Sequence, residues 1–213
     1  VFKLAVFRNF FAVIPLLVLL FFSGEYNSLF KNVNKKFLSL CCLRGLSFLA
    51  MNIFIFISVI NVEFATAMTL TFSSPFFIVI LSIIFLQDKV GIYRWSAIII
   101  GFLGVVLILK PTSDIFNYYS IYSILTAFAW GVTVIILKFI PSNFSTSKIQ
   151  FYTLMFNVIG AFFLFVILSN DFTVNNLRDL LLMVLTGILG GTAAILFVYC
   201  LLYTSPSPRD GLL

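Results

Sequence analysis

Seven apolar stretches follow one another along the chain, separated by short polar segments. They are A (Leu4–Phe22), B (Leu40–Ile60), C (Ala65–Leu86), D (Ile92–Lys110), E (Tyr118–Leu137), F (Ile149–Leu168) and G (Leu180–Tyr199). Each holds about 20 residues, enough at ~1.5 Å per residue to cross ~30 Å of hydrocarbon as a helix. The runs are continuous and do not alternate with period two, which favours helices over a barrel. The pattern therefore predicts an all-α membrane protein with seven transmembrane helices.

The most informative stretch is Phe72–Pro111, where segments C and D are joined by the polar turn Gln87-Asp88-Lys89. Segment C carries Pro75 behind Ser73 and Ser74, and segment D carries Gly101 and Gly104. A proline inside an apolar helix removes a backbone donor, here the one that would serve residue 71, and predicts a kink. Glycines let two helices approach closely or slide, so Gly101 and Gly104, with Gly187, Gly190 and Gly191 of segment G, are candidate hinge or contact positions.

Composition agrees with the bilayer as solvent. The chain is 62% hydrophobic and 9% charged, against about 25% charged in ordinary soluble domains. The formal net charge is +6, but the bases stand singly between apolar spans, as in membrane loops, so no nucleic-acid partner is expected. Lys31, Lys35, Lys36, Arg44, Lys89, Arg94, Lys138 and Lys148 fall on one side, with Glu25 and Asp88. Lys3, Arg8, Lys110 and Arg178 fall on the other, with Glu63, Asp114, Asp171 and Asp179. The positive-inside rule places the first group in the cytoplasm, so A enters from outside. That orientation, and Val1 in place of a start methionine, suggest that at least one helix precedes the chain. Cys200–Leu213, CLLYTSPSPRDGLL, breaks the apolar register and resembles a translated sequencing adapter, so 200–213 is expected to be a non-native tail.

An offset of 142 residues aligns A with F and B with G: Phe10 meets Tyr152, and Leu43-Arg44-Gly45-Leu46 meets Leu185-Thr186-Gly187-Ile188. That offset encloses five spans, and an odd number turns the second copy upside down, as in inverted-repeat transporters.

Phe72-Ser73-Ser74-Pro75-Phe76-Phe77, then Phe85-Leu86-Gln87-Asp88-Lys89 and the glycine helix to Gly104, resemble the drug/metabolite transporter superfamily and its EamA-type carriers. Gln87-Asp88 stands where the family typically has Gly-Glu, and Arg8 looks like the family's arginine in that helix. The resemblance covers Arg8 through Tyr199. It implies a ten-helix fold of two inverted repeats, with 1–111 a first repeat lacking its first helix and 112–199 a second lacking its last two. It also implies alternating access for a small organic metabolite in the bacterial inner membrane.

Polar groups inside a bilayer are costly and need a reason. Thr66, Thr69 and Ser73 share a face of C, and Asn52 lies in the middle of B. These are candidate substrate contacts, against the alternative that each hydroxyl or amide bonds its own helix and aids packing. Arg8 either snorkels to the interface or anchors an anion. Arg44 reads as an interfacial anchor. Trp130, among Ala127, Ala129 and Gly131, either stacks on a substrate or packs between helices. Tyr199, Asn157, Gln150 and Tyr152 are weaker candidates. No catalytic acid–base set, metal ligand set or cofactor motif is visible, and with no histidine and three cysteines little metal or redox chemistry is expected. The expected partners are a small-molecule metabolite and the lipid bilayer, with homodimerisation left open. A non-transport subunit of a membrane complex and a lipid enzyme remain as alternative readings.

Overall fold

The computed structural model describes residues 2–24, 29–31, 33–109, 117–141, 143–168 and 177–204. Glu25, Lys110, Asp114, Asp171 and residues 205–213 of the expected tail 200–213 lie outside the described residues, while 200–204 continue α9. Every described regular element is helical: α1 (Phe2–Phe11), α2 (Val13–Ser23), α3 (Lys35–Asn61), α4 (Phe64–Thr71), α5 (Ser74–Leu81), a π turn (Ser82–Leu86), α6 (Ile92–Leu109), α7 (Ser120–Phe139), α8 (Thr146–Leu168) and α9 (Leu177–Thr204). Among the described residues five stretches are long and apolar enough to cross a membrane: Lys35–Asn61, Phe64–Leu86, Ser120–Phe139, Thr146–Ile167 and Leu177–Leu201. Two shorter apolar helices, Val6–Phe22 and Ile92–Leu107, occupy segments A and D. Each of the seven expected segments is thus helical.

Two segments expected as single helices are broken, and one rule accounts for both. α1 ends at Phe11, four residues before Pro15, and α4 ends at Thr71, four residues before Pro75. A proline has no N–H to offer the carbonyl four residues back, so the ladder stops there. Pro75 then sits in the first turn of α5, where a missing donor costs nothing. The polar Ser73 softens the break by donating its hydroxyl to the Leu70 carbonyl at 2.6 Å.

The chain divides into two compact units. The first comprises Leu43–Ile140. Its centre is α7, whose buried positions include Ser123, Ala127, Gly131, Val134 and Leu137. α4 and α5 pack on α7, and α6 packs on α4. Small residues on α7 bring α5 close: a Cβ added at Gly131 would lie 3.2 Å from Leu81 Cδ1 and 3.3 Å from Phe77 Cβ. α3 is tied to α7 by a hydrogen bond of 2.6 Å between the hydroxyls of Ser58 and Ser123, both fully buried.

The second unit comprises Phe2–Cys42 with Pro141–Leu213. α1 and α2 pack against both α8 and α9. Its core gathers Ala12, Leu16, Leu20, Leu29, Leu154 and Ile195. Ala12, Leu16 and Leu20 recur every four residues and so share one helical face. Glycine decides how close α9 comes: a Cβ at Gly187 would meet Phe11 Cβ at 2.6 Å and the Arg8 carbonyl at 2.7 Å. One at Gly191 would meet the Ala12 carbonyl at 2.7 Å. At Gly190, Gly101 and Gly104 the same atom meets nothing within 4 Å.

Candidate functional site

The polar groups inside the apolar helices define what these helices can offer a solute. In the first unit, Asn52 is fully buried and its Nδ2 donates to the Phe48 carbonyl at 2.8 Å. Thr69 donates to Ala65 O at 2.8 Å, and Thr71 to Ala67 O at 2.9 Å. Thr66 is fully buried and Thr69 nearly so, while Ser73 is half-buried. Each of these donors is turned back on its own helix, as hydroxyls in apolar helices commonly are. A hydroxyl used in this way still has lone pairs, so it can face a ligand only as an acceptor. Trp130 is half-buried against Phe48, ring centroids 6.2 Å apart.

Segment C is kinked in its middle: α4 and α5 meet at Phe72-Ser73 inside the apolar run Phe64–Leu86, and both residues keep right-handed helical dihedrals (φ −66°, ψ −3° and φ −71°, ψ −6°). Helix ends carry backbone groups without helical partners, and at membrane depth such groups are kept where protein or a wet cavity can meet them. The far end of C closes in the π turn, where Gln87 takes the left-handed conformation (φ 56°, ψ 29°) and Asp88 N donates to Ser82 O at 3.4 Å.

In the second unit Asn9 and Asn157 are both buried, and Asn9 Nδ2 donates to Asn157 Oδ1 at 3.1 Å. Asn157 Nδ2 has no hydrogen-bond partner among the described residues. Arg8, next to Asn9, is half-buried. Tyr199 places its hydroxyl 3.2 Å from Ser147 Oγ and packs on the core. Gln150 is buried, and the Tyr152 hydroxyl donates to Leu29 O at 3.4 Å. Lys148 is also buried; its ammonium donates to the Lys31 carbonyl and lies 5.8 Å from the Phe37 ring centre and 5.3 Å from that of Phe144. Arg44, expected at the interface, is instead buried at 5% exposure: it lies about one helical turn beyond the fully buried Cys41, within the packed length of a helix that starts at Lys35.

Sequence reasoning missed the Ser58–Ser123 and Asn9–Asn157 pairs. The available signal was the residue type itself, a small polar group inside an apolar window, but the partner lies 65 or 148 positions away. Among the described residues no group of three or more His, Cys, Asp or Glu is placed to hold a metal ion.

Apolar spans, proline-kinked helices and buried polar pairs define the class: a multi-pass helical membrane protein. Residues 1–110 match the EamA-like transporter family, and the chain belongs to that family. It is similar to the S-adenosylmethionine uptake transporter of Rickettsia felis, 33% identical over 153 residues, or 71% of this chain and 50% of the relative. The Rickettsia bellii protein of the same name is 34% identical over 154 residues, with 71% and 50% covered. The riboflavin transporter of Vibrio cholerae is 37% identical over 86 residues, 40% of this chain and 29% of the relative. The chain spans about half the length of the Rickettsia relatives it matches. Family and relatives alike point to a transporter and not to an enzyme.

Proposed function

We propose that the protein is a secondary transporter that moves a small organic metabolite across the inner membrane by alternating access. The observation that supports this reading is the proline kink at Phe72-Ser73 inside the apolar span Phe64–Leu86 of a chain in the EamA-like family. Pro75 offers no N–H to the Thr71 carbonyl, and backbone carbonyls freed at membrane depth are one device by which secondary transporters hold a solute. Asn52, Thr66, Thr69 and Ser73 are the proposed substrate contacts of the first unit, with Trp130 stacking on a ring. Arg8 and Tyr199 are those of the second. Pro75, Gly101, Gly104, Gly187, Gly190 and Gly191 are the proposed points of flexure.

Relatives named for S-adenosylmethionine and for riboflavin narrow the substrate class. Both compounds carry a fused nitrogen heterocycle joined to a hydroxylated chain or sugar, so a nucleoside-like metabolite is the proposed cargo. Helix-bonded hydroxyls facing such a ring as acceptors suit its exocyclic amino and ring N–H groups. Residues 1–111 and 112–199 belong to the same proposal as two related repeats, and self-association into a homodimer is compatible with it.

The test is uptake into proteoliposomes carrying the full-length protein, with labelled S-adenosylmethionine, riboflavin and a panel of nucleosides. Saturable flux above empty vesicles is expected for at least one compound, lowered several-fold by Asn52→Leu. No flux of any compound would sink the transporter reading and leave the non-transport subunit.

A further inference from the structure

In the second unit a cleft of about 500 Å³ opens where α3 begins and the chain turns into α8. Its polar wall is Asn34, Lys36 and Asn143, and its apolar wall includes Phe37, Pro141 and Phe144. Phe37 and Phe144 stack with ring centres 4.1 Å apart and planes 27° from parallel, which makes that wall a continuous aromatic surface. Behind it lies the ammonium of Lys148, buried against both rings and held by the Lys31 carbonyl. Lys36, in the wall, is exposed, as are Lys31 and Lys35 nearby in the chain.

Among the described residues no carboxylate lines the cleft. The described acid of the unit, Asp179, lies in the first turn of α9. α8 starts at the cleft and α9 starts beyond its far end, so Asp179 belongs to the opposite membrane face. Glu25 lies outside the described residues. The cleft opens on the face where the basic loops cluster, the cytoplasmic one by the positive-inside rule.

We propose that this cleft binds a phosphate-bearing anion at the membrane surface, with the Lys36 ammonium and the amides of Asn34 and Asn143 meeting its oxygens. The apolar wall takes the carbon part of the same molecule. A carboxylate-lined or neutral cleft would repel or ignore such a group; this one presents amide donors and one cation on one side and aromatic carbon on the other. Basic pockets at helix ends on the cytoplasmic side suit anionic lipid headgroups, and a free phosphate ester shares the chemistry.

The proposal is independent of transport, so its test reads binding alone. The full chain, stripped of lipid in detergent, is titrated with phosphatidylglycerol or phosphatidylcholine and followed by native mass spectrometry. Phosphatidylglycerol is expected to bind in preference, and Lys36→Gln to weaken it about fivefold, the worth of one lysine near an anionic surface. Lys36→Arg should restore binding, and Lys89→Gln, an exposed lysine of the other unit, should change nothing. Lys36 is exposed, so these variants leave the packed interior untouched. Displacement of the lipid by millimolar inorganic phosphate would assign the site to the phosphate group alone; retention would assign it to the lipid. Equal binding of the two lipids, or no loss with Lys36→Gln, would overturn the proposal.

Discussion

Asn9 and Asn157, 148 residues apart in the chain, share one hydrogen bond of 3.1 Å inside the second unit, and the bond is half-satisfied: Asn157 Nδ2 has no partner among the described residues. Removing one member of a buried pair leaves the other unpaired and costs more than removing both. Interhelical hydrogen bonds in membranes are worth about 0.5–2 kcal/mol. Asn9→Leu is therefore expected to destabilise the protein by about that amount, and Asn9→Leu with Asn157→Leu by less than the sum of the singles. A double-mutant cycle in reversible unfolding in bicelles measures the coupling; strict additivity would show that the bond contributes nothing.

Gly187 and Gly191 are the contrast to Gly104. A methyl at Gly187 would stand 2.6 Å from Phe11 Cβ and 2.7 Å from a backbone oxygen, neither of which can rotate away, whereas at Gly104 it meets nothing within 4 Å. Overpacking of this kind costs about 1–3 kcal/mol, while alanine in an open helical position gains up to about 1 kcal/mol over glycine. Gly187→Ala and Gly191→Ala should lower the thermal midpoint in detergent, and Gly104→Ala should hold or raise it. The same sign for all of them would mean that α9 does not sit on α1 as described.

Gln87 occupies the left-handed region at φ 56°, the conformation that favours glycine. The family resemblance had already placed a glycine at this position, and the backbone supplies the reason. A left-handed non-glycine residue costs about 1–2 kcal/mol, and glycine's extra freedom in the unfolded chain takes back about 0.4–1 kcal/mol. Gln87→Gly should thus stabilise by up to about 1 kcal/mol, and Gln87→Val should destabilise, because a β-branched residue fits that conformation worst. Thermal midpoints of the two variants, moving in opposite directions around the parent, are the check.

The helices were legible because a bilayer imposes one long apolar run per span, and each of segments A to G became helical. The break at Thr71 was legible too, since Pro75 announced it. The break at Phe11 was equally present in Pro15 and went unread, because Pro15 stands among leucines with no polar neighbours. The polar candidates were legible only as residue types. Whether Thr69 faces a cavity or its own Ala65 carbonyl depends on a rotamer, and whether Asn157 finds Asn9 depends on how α8 meets α1. Neither is encoded in local periodicity. The same holds for Arg44, whose charge suggested an interface and whose position along α3 buries it.

Asn52 and Thr69 carry the most direct test of alternating access. Both are buried, and each spends a donor on its own helix, Asn52 on Phe48 and Thr69 on Ala65, at 2.8 Å. A static protein would keep them from water permanently. A transporter must wet its substrate contacts in at least one state, so their access should depend on conformation and on cargo. In a background with Cys41, Cys42 and Cys200 replaced, Asn52→Cys and Thr69→Cys are expected to react slowly with a small, membrane-impermeant thiol reagent. A transported substrate should slow the reaction further. Exposed Lys89→Cys should react fast and show no substrate effect. Complete protection of both buried positions, with and without substrate, would place them in fixed packing and remove them from the proposed site.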